Sequence, residues 1–141
     1  NMYADAFGGG DPDASLLQMG ELAFVDPKDA RFAGTVAALE QALLKGTHLF
    51  RYAKADDFGH PDNAFNICTF WYIEALALMG RRDEARRIFG AMLACRNHVG
   101  LLSEDTDPVS NELWGNFPQT YSLVGIINSA MRLSRAWEDV I

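Results

Sequence analysis

The feature that most constrains this chain is the order of its helical stretches, which alternate between apolar on nearly every side and apolar on one side only. Strand signals are nearly absent, and the short run at 48–53 is the one candidate. Five helices are expected. The first spans 13–23, with Asp13 as N-cap and Leu16, Leu17, Met19 and Leu22 as apolar bulk. The second spans 29–44. There Phe32, Val36, Leu39 and Leu43 fall at three- and four-residue spacing and form one stripe, and Gly46 follows as a stop signal. The third, 63–79, is apolar almost all round, from Phe65 and Ile67 to Leu78 and Met79, and ends at Gly80. The fourth, 83–96, is amphipathic: Ala85, Ile88, Phe89, Met92 and Leu93 share one face, and Arg82, Arg86 and Arg87 lie opposite. The fifth runs from Phe117-Pro118, with proline suited to a first turn, to about 135, and is again apolar on most sides.

Two concentric layers of helices produce such an alternation, the inner ones wrapped by the outer ones. A four-helix bundle would leave every helix amphipathic. The inner helices would begin near Asp13, Asn63 and Phe117, about fifty residues apart. Hydrophobic residues make up 49% of the chain, enough for a real core in one domain. The expected fold class is therefore all-α.

Charge and composition narrow the function classes. A net charge of −7 argues against a nucleic-acid footprint. The basic cluster Arg81-Arg82 with Arg86-Arg87 is interleaved with Asp83 and Glu84, and reads as a solvated helix face. No apolar run approaches the roughly 20 residues of a membrane span, and no leader pattern opens the chain. The chain begins without methionine, in what reads as mid-protein loop, so a fragment is expected. Cys68 and Cys95 sit in apolar helical stretches and read as buried free thiols, which leans towards the cytoplasm. His48, His60 and His98 have no metal-ligand spacing, and Gly8-Gly9-Gly10 lacks the Lys-Ser/Thr of a phosphate loop. The residues thus call for no metal and no cofactor.

Long loops precede the third and fifth helices, and such loops often carry function. The stretch 99–116, VGLLSEDTDPVSNELWGN, holds Glu104, Asp105, Asp107 and Glu112. Asp107-Pro108 is turn chemistry, Asp105 suits a cap, and Glu112 suits solvent. Glu104 differs, because Leu101-Leu102 returns the chain to the core just before it and sets a carboxylate at the rim of the inner layer. Trp71 and Tyr72 read as core.

GLLSEDTDP at 100–108 and GNFPQTYSLVGIINSAMRL at 115–133 resemble the C-terminal signature of family 15 glycosidases, the glucoamylases, glucodextranases and some bacterial trehalases. DASLL at 13–17, NAFNICTFW at 63–71 and EALALMGRRDEARRIF at 74–89 share the resemblance, which spans nearly the whole chain. It implies an (α/α)6 barrel, of which residues 1–141 would be a C-terminal part with about five helices, alternately inner and outer. It also implies an inverting hydrolase of α-glucosidic bonds, acting on an α-glucoside or oligosaccharide. The general-base role falls on Glu104, and the general acid lies upstream, outside this chain. FRYAKADDFGHPDNAF at 50–65 resembles the family's substrate loop, which places hydroxyl binding on Arg51 and sugar stacking on Phe65. Here Phe replaces the Trp of glucoamylases, and Asp62-Asn63 replaces the Glu-Gly common in bacterial members. Arg51 could otherwise pair with Asp56 or Asp57, and Phe65 could be core. Trp114 could stack on sugar or close the barrel end.

The stretch 75–85 also resembles a tetratricopeptide hairpin, which would make the chain a protein-binding helical repeat without catalysis. The spacing of about fifty residues exceeds that repeat's 34. A partial barrel would expose the inner faces of its first, third and fifth helices. Its expected partner is therefore the missing N-terminal half, or a second copy.

Overall fold

A computed structural model describes residues 2–57 and 59–134. It is mostly helical. A 3-10 turn at Ala14–Leu17 leads into α1 (Gln18–Glu21), followed by α2 (Ala30–Leu43), α3 (Asn66–Leu78), α4 (Arg82–Ala94) and α5 (Thr120–Leu133). Two small sheets accompany the helices. One pairs β1 (Leu44–Lys45) with β2 (His48–Leu49); the other orders β3 (Ala64–Phe65), β4 (Asp105–Thr106) and β5 (Leu113–Trp114) as an antiparallel ribbon. Strand β2 falls inside the 48–53 candidate. The three-stranded ribbon is an addition to the all-α expectation.

Asp13 caps as expected, accepting from Ser15 N–H, and Asp29 caps α2, accepting from Arg31 N–H. On α2, Phe32, Val36, Leu39 and Leu43 are all buried, and each such side chain contributes roughly 1.5–3 kcal/mol. Helix α3 is the centre of the molecule. From Asn66 to Ala77 every residue but Trp71 is buried, and the helix packs against α1, α4 and α5. On α4 the buried residues are Ala85, Ile88 and Met92, with Phe89 and Leu93 partly covered. Polar ties add to this packing: Glu40 of α2 accepts from the Tyr72 hydroxyl at 2.8 Å and from Arg81 at 2.6 Å.

Several boundaries differ from expectation. The first helix is a 3-10 turn plus one α-turn, because the chain turns back at Ala23 (φ 54), where Phe24 and Val25 N–H both donate to Met19 C=O. Residues Ala64 and Phe65 are strand, so α3 starts at Asn66, not Asn63. Gly46 (φ 62) turns the β1–β2 hairpin. Pro118 follows a cis peptide bond and precedes the helix; Gln119 caps α5 through its side chain. The expected end of α5 near 135 lies outside the described residues.

Helix α5 packs through its small residues. Its buried residues are Ser122, Gly125, Ser129 and Leu133. A Cβ at Gly125 would lie 2.5 Å from the Phe70 ring, so only a small-residue face lets α5 approach α3 this closely. Tyr121, Val124, Ile127 and Met131 consequently point outward and form an exposed apolar stripe.

Candidate active site

Glu104 is anchored from both flanking helices. Its backbone C=O accepts from Asn66 N–H at 2.9 Å, and its N–H donates to Asn116 C=O at 2.9 Å. The preceding carbonyl, of buried Ser103, accepts from Asn66 Nδ2 at 3.0 Å and from the Ser122 hydroxyl at 2.8 Å. The first turns of α3 and α5 therefore fix the backbone that carries the carboxylate. The side chain is fixed as well. Glu104 Oε2 accepts from Asn116 Nδ2 at 2.8 Å and from Asn116 N–H at 3.2 Å. Among the described residues Oε1 has no hydrogen-bond partner, which leaves its lone pairs open. Gly115 (φ 76) is required beside it, since a Cβ there would lie 2.9 Å from Oε2.

The carboxylate lines a cavity of about 510 Å³, with Arg51, Tyr52, Asp62, Phe65 and Asp105 among its neighbours. That volume suits a small ligand. Arg51 enters the cavity wall from the segment after β2, and its Nε donates to Asp13 Oδ1 at 2.8 Å. The ion pair crosses 38 residues and joins this segment to the N-cap of the first helical turn. Burial opposes the charge on Asp13, but hydrogen bonds from Arg51 and Ser15 hold its carboxyl below the ordinary value. Only Nε of Arg51 is engaged in that pair, so the outer nitrogens remain as donors. Phe65 is half-buried, with Tyr121 meeting it edge-on at 6.3 Å.

The structure thus brings together Glu104, Arg51 and Phe65. Trp114 is not one of the residues lining this cavity: it pairs with Asp105 across β4–β5 and leaves its side chain half exposed. Asp107 does turn chemistry, its Oδ1 accepting from Val109 and Ser110 N–H, and Glu112 is exposed. Asp105 is no cap; it sits in β4 and lines the cavity. Burial, then the neighbouring charge of Glu104, pushes its carboxyl up to about 6. Tyr72 is core, but Trp71 is only partly buried and faces Tyr121. Cys68 is buried and Cys95 partly so, both as free thiols.

Three residues escaped the reading of the sequence. Asn116 holds the Glu104 carboxylate, Asp13 holds Arg51, and Glu74 is a carboxyl buried on α3. Burial foremost, with Glu21 nearby and Arg132 opposing, pushes Glu74 up to about 7. It lines a second, smaller cavity with Trp71, Tyr121 and Asn128. For Asn116, the signal was its place in the GNFP run. For Asp13 and Glu74 nothing local marked the role.

The chain is 38% identical over 137 residues to a trehalase of Thermoplasma volcanium, and 30% identical over 141 residues to a trehalase of Mycobacterium tuberculosis. These matches cover 96% and 98% of this chain, but only 22% and 21% of the relatives, so the chain spans about a fifth of their length. A solved structure titled "Glycosidase Wild Type" superposes with a TM-score of 0.75 at 24% identity. The superposition covers 89% of this chain and 37% of that one, and shows a shared fold. The model of glycosyl hydrolases family 15 matches residues 1–131, a span that contains Arg51, Phe65 and Glu104, and the chain belongs to that family.

Proposed function

We propose that this chain is the C-terminal part of the catalytic domain of an inverting α-glucosidic-bond hydrolase, with Glu104 as its general base. One observation carries the reading: Glu104 has one carboxylate oxygen held by Asn116 and the other, among the described residues, unpartnered, on a cavity that also presents Arg51 and Phe65. A base needs that division of labour. The held oxygen fixes direction, and the open one receives a proton from water. The water oxygen then bonds to the anomeric carbon as the glycosidic C–O bond breaks on the opposite face. A second carboxyl group, roughly 6.5–9.5 Å away, protonates the leaving oxygen. That acid would come from upstream of residues 1–141. The free Arg51 nitrogens suit ring hydroxyls, and the face of Phe65 suits the apolar face of a pyranose.

The helices would form about half of an (α/α)6 barrel, with the exposed stripe of α5 against the remaining half. The fifth-length match to the trehalases supports this, as does the 37% coverage of the glycosidase structure. The relatives' names make trehalose the first substrate to try. The intact enzyme should convert maltose with β-glucose appearing first by proton NMR, before mutarotation. Initial α-glucose from the non-reducing unit would exclude the inverting role of Glu104.

A further inference from the structure

We infer that Asp105 is a substrate-orienting residue whose carboxylate accepts a ring hydroxyl of the sugar; this rests on the reading of the cavity as an α-glucoside site. Consecutive residues entering a strand ordinarily point to opposite sides. Glu104 and Asp105 instead converge. The absent Cβ of Gly115 would lie 2.9 Å from Glu104 Oε2 and 3.1 Å from Asp105 Oδ2. Both side chains line the same cavity, beside Arg51 and Phe65.

The Asp105 carboxylate is half-buried and, among the described residues, has no hydrogen-bond donor. Glu104, by contrast, has Asn116, and Asp107 has two backbone N–H groups. A half-buried carboxylate that no protein group satisfies is free to accept from a ligand. A sugar hydroxyl lying over Phe65 supplies the missing donor. Arg51 then donates to hydroxyl oxygens and Asp105 accepts from hydroxyl protons, so the two read complementary sides of the same groups. Among the described residues, the other titratable and charged groups around this end are Glu104, Asp62, Arg51, Tyr52 and Cys68. Burial and Glu104 push Asp105 up to about 6, so the accepting form fades as pH falls through that value.

The test uses the intact enzyme with trehalose and its monodeoxy analogues. Asp105→Asn should raise KM by roughly ten- to a hundredfold, as for a lost hydrogen bond to a charged group, with a smaller change in kcat. One monodeoxy analogue should abolish the difference between the variant and the parent. In the parent, KM should rise as pH drops through about 6, and this limb should vanish in the variant. The pH dependence of the parent's KM needs no variant, so a variant that fails to fold leaves the proposal testable. Unchanged KM in Asp105→Asn, equal losses on every analogue, or a flat parent KM across that range would overturn the proposal while leaving Glu104 untouched. A parent without activity on any α-glucoside would overturn both readings.

Discussion

Glu74→Gln should make the 141-residue chain more stable at alkaline pH and leave it unchanged in acid. Glu74 is 5% exposed on α3, with Glu21 of α1 and with Arg132 and Ser129 of α5 beside it. Its carboxyl is raised from 4.5 to about 7 by burial first and Glu21 second. The folded state therefore holds a proton that the unfolded state has already lost. The associated stability is fully present below about 4.5 and is lost as pH rises through about 7. At about 1.4 kcal/mol per unit, the loss comes to about 3 kcal/mol above pH 8. Gln resembles the protonated form and should not suffer it. Urea unfolding followed by circular dichroism, on both proteins at pH 5 and pH 8, measures the difference while other shared titrations largely cancel. The variant should match the parent at pH 5 and exceed it by about 2–3 kcal/mol at pH 8. A variant less stable at pH 8 would refute the reasoning, because Arg132 would then be holding Glu74 ionised.

Gly125→Ala should lower stability by about 1–3 kcal/mol, read by thermal unfolding, because the new methyl would sit 2.5 Å from the Phe70 ring. The apolar stripe of Tyr121, Val124, Ile127 and Met131 should make the isolated chain associate, giving a light-scattering mass above that of one chain. Ile127→Glu with Met131→Glu should return it to a monomer, whereas an unassociated wild-type chain at high concentration would remove the stripe as an interface.

Helix α2 was legible because Phe32, Val36, Leu39 and Leu43 recur at three- and four-residue spacing and all prove buried. The first helix was not, since nothing in the sequence around Ala23 announces the left-handed turn that ends it. The β3–β4–β5 ribbon was invisible because two-residue strands carry no alternation to detect. Helix α5 read as apolar on most sides, which left its packing face unmarked. Close approach to Phe70 in fact selects Ser122, Gly125 and Ser129 and turns the large residues outward. The placement of Glu104 was readable from Leu101-Leu102, which returns the chain to the core just before it. The Arg51–Asp13 pair was not, since it joins residues 38 apart, and Asp105 was mistaken for a cap. Its convergence with Glu104 depends on the missing side chain of Gly115, ten positions further on.

The most direct measurement is glucose release from trehalose, maltose and a short maltooligosaccharide by the intact enzyme and its Glu104→Gln variant. Gln keeps the size of the side chain and can still meet Asn116, but it cannot take a proton from water. The account predicts a fall in kcat on the order of a hundredfold or more, with the fold unchanged by circular dichroism. A variant as active as the wild type would contradict it and remove Glu104 from the role of base.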